Sequence, residues 1–308
     1  NFISSYSAIL SGLLYIFMPT MTGNWDKALM SHNQVFLNPL MFYLFLRFFV
    51  AHNYKYLWRF LMVSFVFAPN FALTSAPPFF AFYPLAVLFL MLYVVIILKK
   101  KLPWKGIIVG FFLFLSLQSF HLIPQIISLF DPGSFANVRV FDKESIAHEG
   151  IRYFIGVLPL AKASVNILLP PVVKDLGWLS IIAPLITLLG FLLNRSRHKT
   201  ILLTGIFFLI TLFLLTANIT NVGVEFYKKL FYIPGFSMFR NFIGQWLFVY
   251  SFFYALLFGQ SLFVLLSNVP KRYTLLLSIG IGLVLTLSAW PFINGSLVNK
   301  VHSGSKNV

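Results

Sequence analysis

The residues of this chain able to do chemistry are few, and the most pointed stretch is 231–240, FYIPGFSMFR. Pro234-Gly235 forces a turn there, and Ser237 is placed to cap a helix running from about 239 to 266. Arg240 then falls in the first turn of an apolar helix. A cation at that position opposes the positive end of the helix dipole by about 0.3–1 kcal/mol. An anion bound at the helix start reverses the sign, because free backbone N–H groups and the guanidinium share it. Two readings stand for Arg240: an anion-binding group, or an interfacial arginine snorkelling to water.

A second cluster follows Asp142-Lys143-Glu144-Ser145, a helix-opening sequence after which Glu144, His148 and Arg152 recur every four residues. A carboxylate–imidazole pair at this spacing can hold a divalent ion or move a proton, and Asp142 and Glu149 lie nearby. There is no second histidine at metal spacing, and the column ends in a cation. The pattern therefore fits a solvated salt-bridged face and no metal site. Glu144 and His148 remain candidate substrate contacts.

Asp26 and His32 share the segment GNWDKALMSHNQ. Asp26 is either a general base at the membrane edge or a solvated loop aspartate, and His32 is a further candidate substrate contact. His121, with Gln118 three residues earlier, fits hydrogen bonding between helices. Cysteine is absent, which removes disulfides, thiolate metal sites and a thiol nucleophile. Without a Gly-rich phosphate loop, a GxSxG or a nucleotide signature, an activated substrate is not a cytosolic nucleotide, and no cofactor is implied.

These residues need elements to carry them, and composition says which kind. The 308 residues are 59% hydrophobic and 19% aromatic, with 10% charged and a mean hydropathy of +0.88. Repeated apolar runs of about 20 residues read as an all-α, polytopic transmembrane bundle. The formal charge of +16 is spread among those runs, which excludes nucleic acid as a partner. Nine spans are expected, at roughly 3–19, 35–50, 57–75, 78–98, 106–127, 177–194, 200–217, 239–266 and 273–292. Asn38-Pro39 and Pro69-Asn70 interrupt the second and third, and Pro77-Pro78 supplies a tight turn before the fourth.

Charge orients the spans. Four short connections hold Arg47, Lys55 and Arg59; Lys99, Lys100, Lys101 and Lys105; Arg195, Arg197 and Lys199; and Lys271 with Arg272, and none of them holds an acid. The positive-inside rule makes these loops cytoplasmic. All seven acids fall in the opposite loops 20–34, 128–176 and 218–238, on the side where the tail 293–308 also lies. The protein is thus expected to be multi-pass in the plasma (cytoplasmic) membrane, with its polar loops extracytoplasmic. Residues 1–308 form one transmembrane domain, expected to be a piece of a longer protein, and 128–176 is an extracytoplasmic subregion. Within the outer loops, 222–232 suits an interfacial helix with Glu225, Lys228 and Lys229 on one face and Val222, Phe226 and Leu230 on another. Residues 157–173, with Pro159 and Pro170-Pro171, suit a re-entrant or surface-lying segment.

Two stretches carry a family resemblance. SGLLYIFMPTMTGNWDKALMSHNQVFLNPL resembles the early transmembrane region of GT-C-type membrane glycosyltransferases. IPGFSMFRNFIGQWLFVYSFFYALLFG resembles a loop-helix of YfhO-type proteins and membrane arabinofuranosyltransferases, where a Pro-Gly turn and an Arg precede a span. The resemblance implies transfer of a sugar from a polyprenyl-phosphate donor, held in the membrane lipid, to an extracytoplasmic glycan or protein acceptor. It implies a catalytic aspartate in the first outer loop of the full protein; Asp26 lies in a later one. A lipid-linked phosphate would sit at the outer interface, where topology puts Arg240. The rival classes are a lipid-linked-sugar transporter, against which stands the lack of acids within spans, and a non-catalytic scaffold of the cell envelope.

Overall fold

The computed structural model describes residues 2–18, 29–68, 77–134, 181–193, 199–217, 221–233, 236–239 and 242–288. Among the described residues every regular element is a helix. The helices are α1 (Phe2–Phe17), α2 (Leu29–Ala51), α3 (Tyr54–Val66), α4 (Pro77–Leu92), α5 (Trp104–Phe130), α6 (Ile182–Leu193), α7 (Lys199–Thr216), α8 (Asn221–Leu230), α9 (Phe242–Ser267) and α10 (Lys271–Ser288). Every apolar run expected as a span overlaps one of these helices. Three stretches, Trp104–Phe130, Lys199–Thr216 and Trp246–Ser267, are long and apolar enough to cross a membrane. At 1.5 Å per residue, α5 reaches about 40 Å, beyond a hydrocarbon core of about 30 Å.

The helix ends depart from the sequence reading in four places, each with a local cause. α2 opens at Leu29, inside the stretch expected to be loop 20–34, so His32 lies on a helix. It also runs unbroken through Asn38-Pro39, with Asn38 fully buried; the proline lies inside the helix without ending it. Pro77 and Pro78 are the first residues of α4, where proline's fixed φ and missing N–H are tolerated. Ser237 lies within a 3₁₀ turn, Phe236–Phe239, and not at the cap of α9. Pro69-Asn70, the 142–152 helix and the 157–173 segment lie outside the described residues.

Burial on α5 runs opposite to that of a soluble helix. Its buried residues are Gly106, Gly110 and Gln118, while Phe112 and Phe120 are more than 60% exposed. Small and polar side chains face the protein and large apolar ones face out, as lipid permits. α9 is apolar all round, and most of its described residues are buried.

The chain divides into two compact units, one of 33–158 with 209–249 and the other of 1–32, 159–208 and 250–308. In the first, α3 packs on α5: Gln118 Nε2 donates to the Ser64 carbonyl at 2.8 Å, and Phe60 stacks on Phe114 at 6.1 Å. The interhelical role expected for the Gln118–His121 pair is thus met by Gln118; the His121 ring lies edge-on to Phe120 at 4.9 Å. α2 closes on α3 through His52, whose N–H donates to the Phe48 carbonyl at 2.8 Å with a left-handed φ of 51°.

In the second unit α1 packs on α10 and on the later part of α9, where Ser11 Oγ donates to the Ala255 carbonyl at 2.6 Å. Phe208 lies 5.6 Å from both Tyr250 and Tyr254. α6 meets α9 at Gly190, where an added Cβ would stand 2.5 Å from Ser261 Cβ and closer still to its carbonyl oxygen. Backbone cannot yield there as a flexible side chain would. Gly190→Val is therefore expected to destabilise the protein by about 1–3 kcal/mol. Gly12→Ala, whose added Cβ meets nothing within 4 Å, should be neutral or mildly stabilising. Thermal unfolding in detergent compares the two; equal stability of Gly190→Val and the parent would contradict this packing.

Candidate functional site

The described residues ahead of Arg240 are held by α8 and by the side chain of Tyr227. α8 forms where Asn221 and Gly223 give way to VEFYKKL, and it ends in basic Lys228 and Lys229, which complement the helix C-terminus. Glu225 pairs with Lys228 at 2.8 Å, three residues on. The chain then leaves through successive turns: Phe231, Tyr232 and Ile233 N–H groups reach back to Lys228, Lys229 and Leu230 carbonyls. The Phe236 N–H donates to the Ile233 carbonyl at 3.0 Å; Pro234-Gly235, between them in the chain, lie outside the described residues.

Tyr227 fastens this turn to the start of α9. It is fully buried, and its Oη donates to the Phe239 carbonyl at 2.6 Å while accepting from Trp246 Nε1 at 2.8 Å. Around this relay the rings close: Phe236 lies 5.6 Å from Tyr227 and 5.2 Å from Phe239, and Phe239 lies 4.9 Å from Trp246. Burial pushes the Tyr227 phenol above its ordinary range, partly offset by the Trp246 N–H, so it stays protonated and able to donate. Each polar tip is buried with a partner, the condition under which Tyr and Trp are stable inside. The residue after Phe239 in the chain is Arg240.

The 222–232 helix has, besides its charged and apolar faces, a third side that is buried. Tyr227 and Gly223 form the inward side, and Val222 and Phe226 are exposed at 80% and 48%. Phe226 lies edge-on to Phe213 of α7 at 5.5 Å. The helix thus keeps an outward apolar edge beside its charged one, the form of an element lying in a membrane interface.

Arg240, Asp26, Glu144 and His148 lie outside the described residues. His32 lies on α2, where nothing is described of its side chain. The described residues include two of the chain's seven acids, and both serve local structure: Glu225 pairs with Lys228, and Asp131 accepts from the Gly133 N–H at 3.1 Å. No group of three metal-ligating side chains occurs among the described residues. Sequence reading missed Tyr227 and Trp246 because they stand 19 positions apart and neither falls on the apolar stripe read from α8. The available signal was chemical: each carries one polar tip that must find a partner when buried.

The fold defines an all-α chain with at least three helices long and apolar enough to cross a membrane. The chain matches no protein-family model, no curated protein and no solved structure.

Proposed function

We propose that the protein is a GT-C-type membrane glycosyltransferase, similar to YfhO-type and membrane arabinofuranosyltransferase proteins, that moves a sugar from a polyprenyl-phosphate donor to an extracytoplasmic glycan or protein. In this reading nine spans place the four basic connections in the cytoplasm and the acids outside, in the plasma membrane. Arg240 binds the donor phosphate at the outer interface. The observation that supports it most is the Tyr227–Phe239–Trp246 relay, which fixes the backbone immediately ahead of Arg240 beside an amphipathic helix with an outward apolar edge. A guanidinium on a held backbone can meet a phosphate with little loss of conformational freedom, which is what a binding group at an interface needs.

The test of activity is transfer itself. Reconstituted protein should consume a polyprenyl-phosphate sugar in the presence of a glycan acceptor, and Arg240→Ala should slow that consumption. A scaffold or transporter would leave the lipid-linked sugar intact. Sidedness has its own test, motivated by the absence of any acid from the four basic connections. Single cysteines at Lys100 and Lys143 are expected to react with a membrane-impermeant reagent from opposite sides; reaction from the same side would contradict the topology.

A further inference from the structure

Between Asp26 and Asp131 the chain contains no carboxylate, yet it carries eight Lys and Arg. The fold gathers several of them. Arg47, near the end of α2, and Arg59 of α3 both lie against one ring: their guanidinium carbons are 5.1 Å and 5.7 Å from the centroid of Tyr56. Arg47 Nη2 also donates to Tyr56 Oη at 3.1 Å. Lys100 Nζ reaches the Val50 carbonyl at 3.3 Å, which ties the basic segment 99–105 to the same end of α2. Left-handed residues at both exits, His52 with φ 51° and Lys99 with φ 52°, turn the chain sharply enough to keep these segments together.

Cation–π contact steadies each arginine, but it removes no charge. Two guanidiniums share one ring, further lysines stand at 55, 99, 101 and 105, and no acid of this hundred-residue stretch is there to neutralise them. The two acids among the described residues, Asp131 and Glu225, are engaged elsewhere, which leaves these cations open to the counter-charge of another molecule. The surroundings say which kind. Trp58 and Trp104 are more than half exposed beside the patch, as aromatic residues at a membrane–water boundary are, and Phe65 of α3 and Phe112 of α5 are exposed further along the same helices.

We infer that this patch binds the phosphate headgroups of anionic phospholipids, with Arg47 and Arg59 as the principal contacts and the acyl chains lying along the exposed faces of α3 and α5. The inference needs only that these helices sit in a membrane and is independent of the transferase reading. Lipid is favoured over a free anion because the patch is bordered by exposed tryptophan and phenylalanine, which a dissolved phosphate has no use for.

The probe is phosphatidylglycerol in nanodiscs of phosphatidylcholine and phosphatidylglycerol at 3:1, with the lipid retained by the released protein counted by native mass spectrometry. The parent should retain phosphatidylglycerol in preference to phosphatidylcholine. The double variant Arg47→Gln/Arg59→Gln should bind it roughly thirtyfold more weakly, from the usual contribution of each basic residue at an anionic surface. Lys271→Gln/Arg272→Gln, two charges removed elsewhere, should leave it unchanged. Equal retention of both lipids by the parent, equal binding by the first double variant, or equal loss in the second would overturn the assignment. So would release of phosphatidylglycerol from the parent by inorganic phosphate but not by chloride at the same ionic strength. That result would give the patch to a free anion, and it stands even if the arginine variant does not fold.

Discussion

Arg240→Ala is expected to weaken binding of a polyprenyl-phosphate sugar ten- to a hundredfold while the protein remains folded in the membrane. A guanidinium meeting a phosphate makes a charge-assisted, two-pronged contact, and the loss of a hydrogen bond to a charged group is typically worth about 1.5–3 kcal/mol. That range converts to the stated loss of affinity. Arg240→Lys should recover only part, because an ammonium keeps the charge but not the planar fork. The expected order is therefore parent, lysine, alanine. Binding of a fluorescent short-chain polyprenyl-phosphate sugar to nanodisc-held protein measures it. Equal affinity in all three would leave Arg240 as a snorkelling interfacial residue and remove the main support for the transferase reading.

Tyr227→Phe is expected to destabilise the protein by about 2–4 kcal/mol, although it deletes one oxygen. That oxygen has two partners, the Phe239 carbonyl at 2.6 Å and Trp246 Nε1 at 2.8 Å, and all three residues are buried. Phenylalanine leaves a carbonyl and an indole N–H without partners, each at roughly 1–3 kcal/mol. Thermal unfolding of detergent-solubilised protein reports the loss directly. The pH dependence gives an independent check. Burial raises the folded-state pKa of Tyr227 above its ordinary value near 10. A group that holds its proton more tightly when folded contributes its full stability below the unfolded pKa and loses it as pH rises beyond. The parent should therefore lose stability above about pH 10 more steeply than Tyr227→Phe does. If the two curves run parallel and the variant unfolds with the parent, the relay does not hold the turn. Donor binding by a folded Tyr227→Phe should also weaken; unchanged donor binding would show that Arg240 acts without the relay.

The helical character of this chain was readable from its residues. Apolar runs of span length, broken by basic clusters and by Pro, Asn and Gly, leave the backbone no partner but itself in lipid, so each becomes a helix. The ends were less so. Prolines at 39 and 77–78 look like breaks in sequence, yet one sits inside a helix and the others begin one. The difference lies in where along a helix each proline falls, since at a helix start the missing N–H costs nothing.

Which face each helix buries was decided only by tertiary structure. In water, an apolar side chain must turn inward, and periodicity reveals the core. In lipid, Phe112 is as well accommodated outside as Phe253 is within, so α5 and α9 read alike in sequence although one is mostly exposed and the other enclosed. The partners that fix them are small or polar: Gln118 on the Ser64 carbonyl, Gly190 against Ser261, Tyr227 between Phe239 and Trp246. These contacts join positions 12 to 71 residues apart. The sequence by itself determined that there would be helices and where charge would collect; tertiary packing decided which polar atoms meet, because a buried donor or acceptor is stable only against a partner that another part of the chain must bring.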